Sequence, residues 1–218
     1  QQELRRCLDL GFKGMFLAPE PVCGKRPSHP DFDPLWQMLV DADLPICVHL
    51  IVRFDRVVNL SGTKWWDPAK ERGDIVFNFG MGGTLQLIPT VAALVCDGLF
   101  DRFPTLKVAI VESGAGYVQY VMDRLDEKYA RFHASSPMKR KPSEYIRENF
   151  WFVMDPSERS IDAQCDLVGE DKFLWGSDYP HVDSHLRAID EVHEALAPMT
   201  PARRNKVLGL NAKRLFAL

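Results

Sequence analysis

The chain of 218 residues contains no block of five like charges and no uninterrupted apolar run of 18 residues. It has 27 Lys and Arg residues against 30 Asp and Glu residues, which gives a formal net charge of -3. Nucleic acids and anionic membrane surfaces attract clustered positive charge, so neither is an expected partner. The longest apolar candidate, 85–99, is interrupted by Gln86, Pro89 and Asp97, which argues against a membrane-spanning helix.

Closely spaced cysteines are also absent. The chain has five cysteines, an odd number, and no two of them form a CxxC pair. They are Cys7, Cys23, Cys47, Cys96 and Cys165. A disulfide framework or a cysteine-based zinc knuckle requires closer spacing than this. The sequence therefore predicts a protein of the reduced cytosol.

Three common catalytic signatures are missing. No G-x-G-x-x-G fingerprint opens a helix after a strand, and the glycines at 80–83 follow no strand of the right kind. There is no P-loop. Residues 112–116 (ESGAG) are not a nucleophile elbow, because the serine lacks its preceding glycine. These absences argue against a dinucleotide enzyme, a P-loop NTPase and an α/β-hydrolase.

The composition, 46% apolar and 26% charged, is that of a globular domain with a sizeable core. Along the chain a strand, a polar loop and a helix recur five times, which indicates one α/β domain with a parallel sheet over residues 1–218. The predicted strands are 15–18, 46–50, 107–111, 150–154 and 173–176. The predicted helices are 2–10, 35–43, 84–100, 116–133, 158–168, 184–197 and a last helix that ends at Leu215, with Thr200 as its N-cap.

Polar or ionisable residues stand at or just beyond the carboxyl ends of four predicted strands: His49, Glu112, Asp155 and Asp178. In a barrel of parallel strands these positions converge on one mouth, where catalysis takes place. One imidazole and three carboxylates suit Zn, Mn or Fe. Each residue has a structural alternative, because a histidine in an apolar strand is often a core residue and an aspartate after a strand often caps a turn or helix.

Seven ordered segments carry a family resemblance. Residues 111–117 read VESGAGY and 124–127 read RLDE; the others are 45–49 (PICVH), 142–145 (PSEY), 155–158 (DPSE), 176–181 (GSDYPH) and 211–216 (NAKRLF). The chain resembles the amidohydrolase-2 family, TIM-barrel metal-dependent hydrolases and decarboxylases related to aminocarboxymuconate-semialdehyde decarboxylase. The resemblance spans essentially the whole chain and implies an α/β fold of the (β/α)8 TIM-barrel type.

The resemblance also implies that strands four to eight of the barrel are represented. The chain opens inside an amphipathic helix, and the D-x-H or H-x-H metal pair of the family's first strand has no counterpart. We therefore expect an N-terminally incomplete barrel. The outer edges of strands 15–18 and 173–176 should then be covered by further residues of this chain or by a partner, and a metal should be weakly held without first-strand ligands.

Carried over by resemblance, His49 and Asp178 are metal ligands, and Asp178 can also orient or deprotonate an attacking water. Glu112 stands where the decarboxylase relatives place a histidine, so it is a candidate acid or base. Its structural alternative is an acceptor for the backbone amides of the turn at 114–116. His181 is a further candidate, either catalytic or supporting Asp178.

Loop residues supply the candidate substrate contacts. Arg53 suits a substrate carboxylate, as do Lys25 and Arg26, although solvated loop charge is the ordinary role of each. Trp65, with Trp66, is a candidate aromatic wall or lid, and a subunit interface is the alternative.

The functional prediction is a metal-dependent hydrolase or non-oxidative decarboxylase acting on a small, carboxylated or aromatic substrate. The expected cofactor is a divalent metal, with zinc first and Mn or Fe as alternatives. We expect a cytoplasmic homo-oligomer, a dimer, with no nucleic-acid or membrane partner. The alternative is a non-catalytic remnant or partial chain that lacks the first-strand metal ligands.

Overall fold

The computed structural model describes residues 1–51, 80–81, 83–181, 184 and 186–218. Within this part of the chain, a five-stranded parallel sheet has its strands in chain order: β1 (Met15–Leu17), β2 (Ile46–His49), β3 (Val108–Val111), β4 (Phe150–Met154) and β5 (Phe173–Trp175). Parallel strands in sequential order with helical connections are the arrangement of a TIM barrel, so the predicted fold class is confirmed. Coverage of the outer edges of β1 and β5 stays a prediction.

Helices connect and follow the strands. They are α1 (Gln2–Asp9), α2 (Asp33–Asp41), α3 (Gly83–Cys96), α4 (Leu99–Arg102), α5 (Val118–Phe132), α6 (Pro142–Asn149), α7 (Ile161–Val168), α8 (Ala188–Ala195), α9 (Pro201–Asn205) and α10 (Asn211–Leu215), with a π-helical segment at Lys206–Leu210. Short 3-10 turns lie at Pro30–Phe32 and His133–Ser135. No helix in the described part of the chain is long and apolar enough to cross a membrane.

Two helical predictions need correction. The predicted helix 84–100 divides into α3 and α4, because Gly98 adopts a left-handed conformation with φ +71° between them. Helix α6 was not predicted, although its signals are present: Pro142 begins it, and the Glu144 carboxylate accepts from the Lys141 amide at 2.8 Å. The predicted cap of the last helical region is confirmed, since Thr200 Oγ1 accepts from the Arg203 amide at 3.3 Å.

Alternate strand residues face different environments. One face of the sheet, including Ile46, Val108 and Phe150, forms the main core with the surrounding helices. The opposite face carries a smaller cluster built on Ala109 and Leu174, against which Cys47, Val111, Trp151, Val153 and residues of α10 pack. We call this second surface the inner face. By the two-residue period of a strand, His49 lies on it with Cys47.

Two buried asparagines tie the ends of elements together. Asn149 Nδ2 donates to the carbonyls of Pro104 and Leu106 at 2.7 and 2.9 Å, which joins α6 to the segment before β3. Asn211 Nδ2 donates to the carbonyls of Glu170 and Phe173 at 2.9 and 2.8 Å, which joins α10 to β5. In each case the asparagine amide supplies the hydrogen bond that a buried backbone carbonyl can no longer receive from water.

Candidate functional site

The candidate site lies where the parallel strands end. His49 is the last residue of β2, Glu112 directly follows β3, and Asp178 lies in the segment after β5. Since all five strands run in the same direction, these positions share one edge of the sheet, which we call the carboxyl edge. This is the end of a parallel barrel at which catalytic groups gather.

Three of the predicted residues lie close enough to share one cation. A carboxylate oxygen of Glu112, one of Asp178 and a ring nitrogen of His181 are all within 4.8 Å of one another. His181 Nδ1 is also 2.9 Å from Asp178 Oδ2. Two carboxylates and an imidazole are a donor set suited to Zn, Mn or Fe.

His49 joins this group through Glu112. Its Nε2 is 2.6 Å from Glu112 Oε2, while its Nδ1 lies 2.7 Å from the Leu50 carbonyl. A carbonyl only accepts, so Nδ1 carries the hydrogen of that bond and Nε2 is the ring nitrogen directed into the site. The Phe16 ring packs beside the imidazole, with the two ring centroids 5.2 Å apart.

The backbone is strained at both carboxylates. Glu112 has φ +60° and Asp178 has φ +54°, a left-handed region that non-glycine residues rarely adopt. His49 pairs with Val111 in the sheet register, and a regular strand would send the next side chain to the other face. The left-handed residue interrupts that alternation, and the Glu112 carboxylate lies beside His49. Strain of this kind is typical of functional sites.

The turn from β3 to α5, residues 112–117, is held by a second carboxylate. Both oxygens of Glu158 accept from the Ala115 amide, at 3.0 and 2.9 Å. The structural role considered for Glu112, accepting from the amides of this turn, is thus filled at Ala115 by Glu158. Burial raises the pKa of Glu158; the bond from Ala115 lowers it, and the charge of Asp155 raises it.

The remaining predicted site residues make other contacts. Asp155 is exposed and lies against the 112–117 turn: a Cβ on Gly114 would be 3.3 Å from its Oδ2. Lys25 pairs with Asp31, and Arg26 with Asp97 at 3.0 Å. Because Asp97 lies between α3 and α4, before β3 begins, Arg26 is held toward the amino ends of the strands. The proposed substrate contacts Arg53 and Trp65, with Trp66, lie outside the described residues.

Two residues at the site were not predicted. Phe16 is 62% exposed and lies on the inner face of the sheet. Its neighbours in the strand, Met15 and Leu17, direct their side chains to the other face. Residues 15–18 (MFLA) are all apolar, so the sequence did not single out Phe16. Glu158 belongs to the family segment 155–158, but its bond to the Ala115 amide joins two segments far apart in the chain and has no local signal.

A section of parallel β/α barrel with carboxylates and imidazoles at its carboxyl edge is an arrangement typical of metal-dependent TIM-barrel enzymes. The amidohydrolase family model matches residues 1–218, and the chain belongs to that family. The resemblance drawn from the sequence motifs is thereby confirmed.

Individual relatives share this architecture. The gamma-resorcylate decarboxylase of Rhizobium radiobacter is 28% identical over 237 residues, which cover 100% of this chain and 65% of that protein. An amidohydrolase from Mycobacterium avium subsp. paratuberculosis superposes with a TM-score of 0.81 at 24% identity, covering 99% of this chain and 54% of that one. A 5-carboxyvanillate decarboxylase from Novosphingobium aromaticivorans, complexed with manganese and 4-hydroxy-3-methoxy-5-nitrobenzoic acid, has a TM-score of 0.74 at 26% identity, with 100% and 60% coverage. The chain therefore spans about two thirds of the curated relative's length.

Proposed function

We propose that the protein is a metal-dependent, non-oxidative decarboxylase of a small aromatic carboxylate. The proposal is supported by the relatives, among which the gamma-resorcylate and 5-carboxyvanillate enzymes are decarboxylases. The observation that carries it in this chain is the convergence of Glu112, Asp178 and His181 within 4.8 Å, with His49 in contact with Glu112.

The donor set fits a divalent metal. Asp178 and His49 would hold the ion, because Asp178 offers a carboxylate oxygen and His49 directs Nε2 into the site. Glu112 and His181 are close enough to complete the group. When bound, a divalent ion would supply positive charge for an oxygen of the substrate.

The identity of the metal is a separate part of the proposal. We favour zinc, as the sequence does, because imidazole and carboxylate ligands are common at zinc sites. Manganese is the alternative, supported by the manganese complex of the 5-carboxyvanillate relative.

Decarboxylation of an aromatic acid requires a proton. A proton adds to the ring carbon that bears the carboxylate, the bond between that carbon and the carboxylate carbon breaks, and CO2 leaves while the bond's electron pair restores the aromatic ring. With no ion on His49, the 2.6 Å separation between its Nε2 and Glu112 Oε2 is a short hydrogen bond that one proton occupies. An ion held by Nε2 would take that nitrogen's lone pair, and the proton would then be carried by Glu112. We assign the delivery of the ring proton to Glu112.

Phe16 supports an aromatic substrate. Its ring lies on the inner face and packs beside His49 with 5.2 Å between centroids. A ring of the substrate placed over Phe16 would gain stacking contacts of about 0.5–1.5 kcal/mol beyond its buried area. The same contact would hold the reacting carbon beside the His49–Glu112 pair.

We further propose a cytoplasmic homodimer without nucleic-acid or membrane partners. The support for the compartment is that all five cysteines are free thiols. The dimer rests on the sequence expectation alone, and size-exclusion chromatography with light scattering would test it.

The function is tested with the full-length protein, loaded with Mn²⁺ or with Zn²⁺ after removal of bound metal. It is incubated with 2,6-dihydroxybenzoate or 5-carboxyvanillate, and CO2 and the decarboxylated phenol are quantified. We expect metal-dependent release of both products in equal amounts. Asp178→Asn should abolish this release, whereas Asp190→Asn, a matched change at an exposed position of α8, should preserve it.

Lactones and amides are assayed in parallel under the same metal loading. Hydrolysis of these compounds without any CO2 from the aromatic acids would assign the site to a hydrolase instead. Inactivity toward both sets in a folded, metal-loaded protein would favour the non-catalytic alternative.

A further inference from the structure

The turn that carries Glu112 is fastened by neighbours on both sides. Thr84 Oγ1, at the start of α3, donates to the Ser113 carbonyl at 3.0 Å. Gln164 Nε2, from α7, donates to the Gly116 carbonyl at 3.1 Å. Between these contacts, Glu158 accepts from the Ala115 amide through both carboxylate oxygens, at 3.0 and 2.9 Å. The path from β3 into α5 is therefore determined by side chains of two other segments.

Glu158 differs from the other two contacts in its charge. Its carboxylate is partly buried, and burial raises its pKa despite the lowering effect of the bond from the Ala115 amide. A buried carboxylate is costly unless several donors surround it. Here the Ala115 amide donates to both carboxylate oxygens, and the Ser160 hydroxyl donates to Oε1 at 3.4 Å. The turn and the carboxylate thus stabilise each other.

The glycines of the turn lie close against the Glu158 carboxylate. A Cβ on Gly116 would lie 3.1 Å from Glu158 Oε1, and one on Gly114 would lie 3.4 Å from Oε2. Gly114 itself has φ +64° and Glu112 has φ +60°, so two left-handed residues bracket Ser113. Such a backbone persists only when its surroundings impose it. The surroundings at this point are Glu158 and its neighbours.

We infer that Glu158 is a positioning residue that sets the direction of the Glu112 carboxylate toward His49. Glu158 does not touch the substrate; it acts through the backbone of residues 112–116. The inference rests on the proposed function only for its kinetic consequence. Displacing a reacting group by about 1 Å can cost about 100-fold in rate.

The kinetic test compares three variants with the wild type. Glu158→Ala removes both acceptor oxygens and should lower kcat about 100-fold, with KM changed by less than about 3-fold, because substrate contacts stay in place. Glu158→Gln keeps one acceptor oxygen and should lose only about 10-fold. Glu148→Gln, at an exposed position paired with Arg140, is the matched control and should retain full activity.

A second readout does not depend on activity. In the protein freed of metal, the proton in the 2.6 Å bond between His49 and Glu112 should give a downfield proton resonance, identified by its loss in Glu112→Gln. Glu158→Ala should weaken or remove this resonance in a protein whose circular dichroism is native, and Glu148→Gln should leave it unchanged. If Glu158→Ala does not fold, the nearly isosteric Glu158→Gln tests the inference instead, by its kcat and by the downfield resonance.

Retention of both kcat and the resonance in a folded Glu158 variant would overturn the inference. So would a fall in kcat with an unchanged resonance, because Glu158 would then act by another route. If the wild type releases no CO2 from any aromatic acid, the proposed function fails, and the resonance alone decides whether Glu158 positions Glu112.

Discussion

His49 Nε2 and Glu112 Oε2 are 2.6 Å apart, although His49 ends β2 and Glu112 follows the next strand, β3. The sheet register places His49 opposite Val111, and the left-handed conformation of Glu112 keeps its side chain at the same edge. The pair is therefore a product of strand pairing and one unusual backbone angle acting together. Its proton makes Glu112 the residue on which the proposed chemistry depends most.

Glu112→Gln should reduce decarboxylation far more than it reduces stability. The amide cannot deliver the ring proton, and we expect kcat to fall by about 100-fold or more, with the melting temperature within about 2 °C of the wild type. Steady-state kinetics and thermal unfolding measure the two effects. Glu194→Gln, an exposed change on α8, is the control. A parallel loss of activity and stability would point to a structural role for Glu112.

His181→Gln should weaken metal binding at the carboxyl edge. His181 Nδ1 contacts Asp178 at 2.9 Å, so its loss removes both a nearby donor and a group that orients Asp178. The expected loss of affinity is about 10- to 100-fold. Isothermal titration with Mn²⁺ measures it, and His193→Gln, on an exposed position of α8, should bind as the wild type does. Equal affinity of the two variants would remove His181 from the site.

Lys172 should make stability depend on pH in the alkaline range. Burial lowers the pKa of Lys172 to about 8, against the charges of Asp171 and Glu148. Its Nζ lies over the Trp151 ring, 3.8 Å from the centroid, and donates to the Glu148 carbonyl. The unfolded chain keeps its lysine proton up to a higher pH, so between these two pKa values the unfolded state binds more protons and stability rises with pH.

The measurement is the difference in unfolding free energy between the wild type and Lys172→Met. This difference should grow in favour of the wild type from about pH 8 to about pH 10.5, by on the order of 1–2 kcal/mol after allowance for partial exposure. Urea unfolding at several pH values gives it directly. A difference that is constant with pH would show that Lys172 titrates as it does in the unfolded chain.

Gly114→Ala should destabilise the protein more than Gly24→Ala, although both glycines have a left-handed backbone. Gly114 has φ +64°, and its added Cβ would meet Asp155 Oδ2 at 3.3 Å and Glu158 Oε2 at 3.4 Å. Gly24 has φ +74° with nothing within 4 Å of an added Cβ, so Gly24→Ala isolates the backbone cost. We expect about 1–2 kcal/mol for Gly24→Ala and more for Gly114→Ala, measured by urea unfolding. Equal losses would mean that the carboxylates move aside freely.

The order of the elements and the class of the fold follow from the amino-acid pattern alone. Strands and helices appear in the apolar pattern because burial repeats every two residues in a strand and about every 3.6 in a helix. The strand ends then indicated His49, Glu112 and Asp178 as neighbours at one edge. Helix α6 also had a local signal, since Pro142 and Glu144 stand at the positions where a helix begins.

Which side chains meet depends on how the segments pack in three dimensions. Asp155 and Glu112 both follow strands, yet Glu112 lies beside His49, while Asp155 lies against the turn at Gly114. The acceptor for that turn is Glu158, which no pattern near residue 112 indicates. The spacing of apolar residues shows which face of each segment is buried. It does not specify strand register, left-handed residues or contacts between distant segments, because these depend on how the segments pack together.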